Sequence, residues 1–263
     1  MGFKSIIDNP NKQQEYMRDV YPVFWNRSRM EYGFEQYDKD LIIEISNYIK
    51  CGKILEVGIG DGRPFAYQFD KMGYQVYGID IAPTHVAMVK KELPNVIVNV
   101  GDAQDLRFPD NYFDCVYCFR SSWYFPDLEK SIQEMLRVLK KNGLLMFDIQ
   151  NLNHPIHSKG TKRLYRRIKY PLILEVALRF SKNVIKIFLR PIKYYQCDWS
   201  IEKHVVISSS PTDPEDLKLF FNNRTDVQYQ LFGVKFNSPG TLIEIAETAT
   251  LEFDRLVYKV YKI

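Results

Sequence analysis

The sequence predicts a doubly wound α/β fold, a mainly parallel sheet with helices on both faces. Three observations predict it. Short apolar runs alternate with segments of helical spacing between residues 37 and 150, the pattern of strands joined by crossover helices. The first apolar run, Ile54-Leu55-Glu56-Val57, enters Gly58-Ile59-Gly60-Asp61-Gly62 directly. Glycines at such a turn let backbone approach a ligand where a Cβ would collide. The second run, Gln75-Val76-Tyr77-Gly78-Ile79, ends on Asp80. That acid lies about 20 residues past the turn, where doubly wound folds keep the carboxylate that binds a ribose diol.

The elements follow in order. Residues 37–49 have helical apolar spacing, strand one spans about 53–57, and a helix runs on to about Met72. Pro83 opens a helix after strand two, a position suited to a first helical turn. Val96–Val100 is strand three and Cys115–Phe119 strand four. Asp127 is placed to cap a helix through Leu139, and Asn142-Gly143 to stop it. Leu144–Ile149 is strand five. Further on, Glu202–Ser209 alternates like a strand, Pro214–Phe221 reads as a helix, and Val227–Val234 and Leu256–Ile263 read as strands.

The glycine turn has the spacing G-x-G-x-G rather than the G-x-G-x-x-G of dinucleotide enzymes. Glu56 precedes it, Asp80 ends strand two, Gly101-Asp102-Ala103 follows strand three, and Phe113-Asp114 opens strand four. With these pieces residues 50–150 resemble the class I S-adenosylmethionine (SAM)-dependent methyltransferases. The resemblance implies a seven-stranded, Rossmann-like sheet whose last strand pair is antiparallel, with SAM as cofactor. It also implies roles. Glu56 would support the turn and the cofactor's amino group. Gly58, Gly60 and Gly62 would let backbone pass along its methionine and ribose. Asp80 would accept both ribose hydroxyls, Ile81 would pack on the adenine, and Asp102 would accept the exocyclic amine beside the Ala103 amide. Arg120 is expected on the cofactor side. Asp61 departs from the small or hydroxyl residue common at its position.

At 263 residues the chain suits one elaborated domain. Its segments are a cap at 1–36, the cofactor-binding core at 37–150, a basic helical insert at 151–200 and the rest of the sheet at 201–263. Four scattered cysteines form no disulfide framework and favour a reduced cytoplasmic setting. Cys115 and Cys118, a C-x-x-C inside an apolar strand, read as core, and no metal site is proposed. The N-terminus has no signal-peptide pattern and just misses the myristoylation pattern at Ile6, and no apolar run is long enough to span a membrane.

Residues 151–195 hold eleven Lys or Arg against the single acid Glu175, so this window carries +10 and the remaining chain −6. Within it, Leu172–Arg190 reads as an amphipathic helix with Glu175, Arg179, Lys182, Lys186 and Arg190 on one stripe. Three uses compete: a lid over the active site, peripheral docking of residues 160–193 on an anionic membrane, and nucleic-acid binding. No RNA-binding module accompanies the patch, and the [DNS]-P-P-[FY] signature is absent, so nucleic acid is the least favoured.

Substrate contacts are expected from Ser121, Trp123 and Tyr124, which follow strand four on the ligand-binding sheet edge. Tyr16, Tyr21, Phe24 and Trp25 are aromatic candidates to fold over the cofactor, where ring faces suit a sulfonium charge, with Tyr21 and Trp25 also expected at the substrate. His154 and His157, just after strand five, are the general-base candidates. The expected activity is methyl transfer to O or N of a small-molecule or lipid-linked acceptor. An RNA methyltransferase and a non-catalytic SAM-binding subunit are the alternatives.

Overall fold

The computed structural model describes residues 10–20, 22, 36–155, 157, 210–235 and 241–263. Helix α1 (Pro10–Glu15) runs into a π-helical turn, Tyr16–Val20, and α2 spans Gln36–Tyr48. Then come β1 (Lys53–Val57), α3 (Phe65–Lys71), β2 (Gln75–Asp80), α4 (Pro83–Glu92), β3 (Ile97–Val100) and β4 (Phe113–Cys118). A 3-10 turn at Ser122–Tyr124 precedes α5 (Leu128–Val138) and β5 (Leu139–Gln150). The C-terminal part holds α6 (Pro214–Asn222), β6 (Val227–Lys235), β7 (Thr241–Glu244) and β8 (Arg255–Lys262).

The strands form one sheet in the order β3-β2-β1-β4-β5-β8-β6-β7. The first five are mutually parallel, and β8, β6 and β7 are joined by antiparallel pairings. Strand order reverses between β1 and β4, so a crevice opens beyond their C-terminal ends. Side-chain alternation feeds two cores, one on each face. Ile54, Val76 and Tyr117 point to the face covered by α2, α3 and α4, and Leu55, Tyr77 and Val116 to the face covered by α5 and α6.

Local chemistry sets the helix ends. The Asp127 side chain accepts from the Lys130 amide at the start of α5, as its position in the sequence suggested. Leu128, Ile132, Met135 and Leu136 recur at helical spacing and are buried against the sheet. Each such buried side chain contributes about 1.5–3 kcal/mol of transfer free energy. Pro83 opens α4, and Asp213 caps α6 through the Glu215 amide. Cys115 and Cys118 belong to opposite cores, and burial raises both thiols well above the ordinary range. They are inert packing residues.

Some boundaries differ from the sequence reading. Helix α5 stops at Val138, because Leu139 already pairs with Phe113. The register then shifts between Phe113 and Cys115, and Asn142 (φ +62) turns the backbone inside this irregularity rather than ending the helix. Eight strands are described, not seven. The additional one, Thr241–Glu244, is a short, partly exposed edge strand on β6, too brief to show a period in sequence. The expected strand at 202–209 and the helix at 172–190 lie outside the described residues, as do Tyr21, Phe24 and Trp25.

Candidate active site

A cleft of about 320 Å³ lies at the strand-order reversal. The glycine turn forms its floor. The Gly58 and Ile59 amides both donate to the Ile79 carbonyl at 2.9 Å, which ties the turn after β1 to the end of β2. Gly58 has φ +78, and a Cβ on it would sit 2.6 Å from Ser121 Oγ, whose hydroxyl donates to the Gly58 carbonyl at 3.0 Å. Gly60 (φ +57) faces open space, with no atom within 4 Å of a built Cβ. Its amide donates to Asp80 Oδ2 at 2.8 Å. Gly62 does not line the cleft. It also holds a positive φ, and a Cβ there would meet Leu93 Cδ1 at 2.6 Å, so it serves packing.

Asp80 therefore shapes the turn as well as facing the cleft. Its Oδ1 accepts from the Ala82 amide at 2.9 Å and lies 3.4 Å from His85 Nδ1. A carboxylate has about four acceptor sites, so both oxygens keep capacity for a ligand hydroxyl. Glu56 is buried below the turn, where its Oε2 accepts from the Ala66 amide and the Tyr117 hydroxyl, each at 3.1 Å. Burial pushes its carboxyl up to about 8, against the opposing pull of those two donors. Asp102, after β3, accepts from Gln104 N at 2.9 Å and from Gln14 Nε2 at 2.7 Å. Ile81 and Ala103 line the same end. Asp61 is 3 % exposed and also lines the cleft. Burial raises its carboxyl, and Oδ2 has no hydrogen-bond partner.

The β4 side is built from distant segments. Arg120 (φ +61) lines the cleft, its amide donating to Asp148 Oδ1 at 2.7 Å and its Nε to the Tyr37 hydroxyl at 2.6 Å. Its guanidinium also pairs with the buried Asp38. Arg255 donates to the same Tyr37 oxygen at 2.8 Å and faces Asp148 at 3.8 Å. Burial pushes Tyr37 up to about 12, although both cations oppose the shift. Asp148 is completely buried and raised for the same reason.

Of the expected substrate residues, Ser121 and Tyr124 line the cleft. Trp123 does not: it is buried under the Arg255 guanidinium, 5.1 Å from the ring centre. His154 and His157 are not brought to the cleft either. Both sit in a turn after β5, where the His154 amide bonds Asn151 and the His157 amide bonds His154. The His157 ring is half-buried against Asp254, and desolvation lowers its pKa. The described geometry gives neither a general-base position. Sequence reasoning missed Gln14, Met17, Asp38 and His85, which all line the cleft, and the Asp148–Arg255 pair behind it. One signal was present: Asp148 is an acid inside the otherwise apolar run Leu144–Ile149.

This fold and cleft define a doubly wound α/β protein with a ligand-sized cleft at its switch point. A methyltransferase-domain family matches residues 55–147. An uncharacterized methyltransferase of Bacillus subtilis is 24% identical over 229 residues, 82% of this chain and 89% of that protein. A sterol 24-C-methyltransferase of Gibberella zeae is 34% identical over 143 residues, 48% of this chain and 37% of that protein. A demethylmenaquinone methyltransferase of Chlorobaculum parvum is 34% identical over 132 residues, 50% of this chain and 53% of that protein. The chain thus spans only about a third to a half of the length of these last two relatives. Among solved structures, the PH0226 protein of Pyrococcus horikoshii shares the fold with a TM-score of 0.54 at 18% identity, covering 94% of each chain. A SAM-dependent methyltransferase of Thermotoga maritima does so with a TM-score of 0.51 at 18% identity, covering 80% of this chain and 82% of that one. Residues 55–147 thus match a methyltransferase domain, and the fold over most of the chain is the one seen in a SAM-dependent methyltransferase structure.

Proposed function

We propose that the cleft binds SAM and that the chain transfers its methyl group to oxygen or nitrogen of a small-molecule or lipid-linked acceptor. The observation that carries this reading is the pairing of Asp80 and Asp102 at the ends of neighbouring strands, with Ile81 and Ala103 lining the same end of the cleft. Two acceptors beside an apolar slot fit an adenosine. The open space above Gly60 is the cradle that a Cβ would fill.

When bound, SAM supplies a methyl group already activated by its sulfonium. The chain's own task is placement. Asp80 would accept ribose hydroxyls while keeping its bond to Gly60 N. Asp102 would accept the adenine amine where Gln14 now donates. Phe65, Phe119, Tyr124 and Phe125 form aromatic walls that exclude water and offer ring faces to a cation. Among the described residues the histidine lining the cleft is His85, buried beside Asp80. Proximity and orientation therefore carry the rate in this reading, rather than a histidine base.

The apolar walls suit a small hydrophobic acceptor, and the sterol and quinone methyltransferases among the relatives support that class. For a lipid-linked acceptor, the basic stretch 160–193 would dock the chain on an anionic membrane. No described helix is long and apolar enough to cross one.

Methyl-labelled SAM incubated with the protein and a cell extract, followed by fractionation, tests the reading. Label in organic-soluble small molecules is expected. Label confined to RNA would favour the nucleic-acid alternative, and SAM binding without any transfer would favour a non-catalytic subunit.

A further inference from the structure

Asp102, just after β3, has its acceptor capacity filled from within the chain. The Gln104 amide donates to Oδ1 at 2.9 Å, and Gln104 Nε2 lies 3.3 Å from Oδ1 and 3.4 Å from Oδ2. Gln14 Nε2 donates to Oδ2 at 2.7 Å, the shortest of these contacts. A carboxylate offers about four acceptor positions, so an arriving donor must displace one of them. Gln14 lines the cleft and Gln104 does not. The bond that a ligand in the cleft contests is therefore the one from Gln14. Its terminal group is an NH2 on a planar carbon, the same kind of donor as the exocyclic amine of an adenine.

The segment that carries Gln14 is held in place at a cost. Gln13 is completely buried, and among the described residues neither of its amide atoms has a hydrogen-bond partner. Such a side chain has given up its bonds to water and received none in return. Helix α1 has six residues, well short of the roughly 12 that a helix needs to persist by itself. It runs straight into the π-helical turn Tyr16–Val20, a rare geometry frequent in functional segments. Met17 in that turn also lines the cleft. One strong contact, Gln14 to Asp102, thus holds a segment whose Gln13 regains water by leaving.

We propose that Gln14 is an internal stand-in for the ligand's amine and that residues 10–20 form a latch, displaced when the cleft is loaded. This role rests on the SAM reading above, in which Asp102 accepts the adenine amine. The empty chain divides between a closed form, with Gln14 on Asp102, and an open form that binds the ligand. Apparent affinity falls in proportion to the open fraction. Release of Gln14 carries Met17 with it, so loading the adenine end also clears part of the cleft wall.

Calorimetry and hydrogen exchange on the full chain test the latch together. Gln14→Ala removes the competing donor and is expected to bind S-adenosylhomocysteine roughly threefold or more tightly than the wild type. Amides of residues 10–20 are expected to exchange faster in the wild type once S-adenosylhomocysteine is added, and to exchange fast in Gln14→Ala with or without it. Gln14→Glu sets a second carboxylate against Asp102 and is expected to behave as Gln14→Ala does. Weaker binding in Gln14→Ala, with slower exchange of residues 10–20 on loading, overturns the proposal and makes Gln14 a wall of the adenine pocket. Unchanged affinity and exchange overturn it as well. If S-adenosylhomocysteine binds neither the wild type nor the variants, the SAM reading fails. Adenine alone then decides the latch: binding that Gln14→Ala gains over the wild type supports it, and its absence overturns it.

Discussion

The two walls of the cleft are assembled in different ways. On the β1–β2 wall the decisive contact joins residues close in the chain: Gly60 N meets Asp80 across 20 residues. On the β4–β5 wall Arg120 meets Asp38 and Tyr37 across 82 and 83 residues, and Arg255 meets Tyr37 across 218. The first wall is backbone geometry with acids at strand ends. The second is a buried network of alternating charge that exists only after α2, β4, β5 and β8 have packed together. A ligand cradle made of local turns tolerates change around it, whereas a network of buried ions depends on every member.

That contrast predicts the largest stability effect in the second wall. Arg255→Leu removes the cation that faces the completely buried Asp148 Oδ2 and leaves Arg120 as the other positive charge acting on it. Breaking a buried pair by removing one partner costs about 3–5 kcal/mol. Urea denaturation is expected to show a loss of that size, much of it recovered in Arg255→Leu/Asp148→Asn. A loss near zero for the single variant would erase the distinction between the walls.

The first wall has its own electrostatic signature. Burial holds the Glu56 carboxyl at about 8 in the fold, above its ordinary value of 4.5. Between those two pH values the unfolded chain releases this proton and the folded chain retains it. The folded state then binds more protons, so this group's contribution to stability falls as pH rises through the window and levels off above it. Glu56→Gln removes that dependence. Denaturation midpoints at pH 5 and pH 8 are expected to fall less in the variant than in the wild type. Equal slopes would mean that Glu56 is ionised in the fold.

The smallest effect per residue concerns the basic stretch 160–193. Each Lys or Arg near an anionic surface contributes about 1 kcal/mol, screened by salt. Flotation with anionic vesicles is expected to carry the protein at low salt. Arg179→Glu/Lys182→Glu/Lys186→Glu and high salt are each expected to abolish it. Equal flotation with neutral vesicles, or none at all, would remove the membrane role.

The same contrast explains what the sequence revealed. The five parallel strands, the Asp127 cap and the glycine turn were legible because each is encoded within a few residues by period, capping or spacing. Gly58, Gly60, Asp80, Ile81, Asp102 and Ala103 were found by the same local signals, and all line the cleft. Tyr37, Asp38 and Arg255 were invisible because nothing in their own neighbourhoods distinguishes them from ordinary helix and strand residues. Trp123 read as a ligand contact from its place after β4, but the 3-10 turn at Ser122–Tyr124 buries its ring under Arg255. His154 and His157 read as bases from residue type and their place just after strand five, and neither signal carries the direction of a ring. The edge strand Thr241–Glu244 was missed because four residues show no period.

The central claim is that the β1–β2 wall is a SAM cradle organised by Asp80. Calorimetry of S-adenosylhomocysteine with the wild type and Asp80→Ala tests it most directly. The substitution removes the ribose acceptor and the partner of Gly60 N together. Hydrogen bonds to a charged group are worth about 1.5–3 kcal/mol, so a roughly 10- to 150-fold loss of affinity is expected in a variant that remains folded. Unchanged affinity in a folded Asp80→Ala would contradict the account.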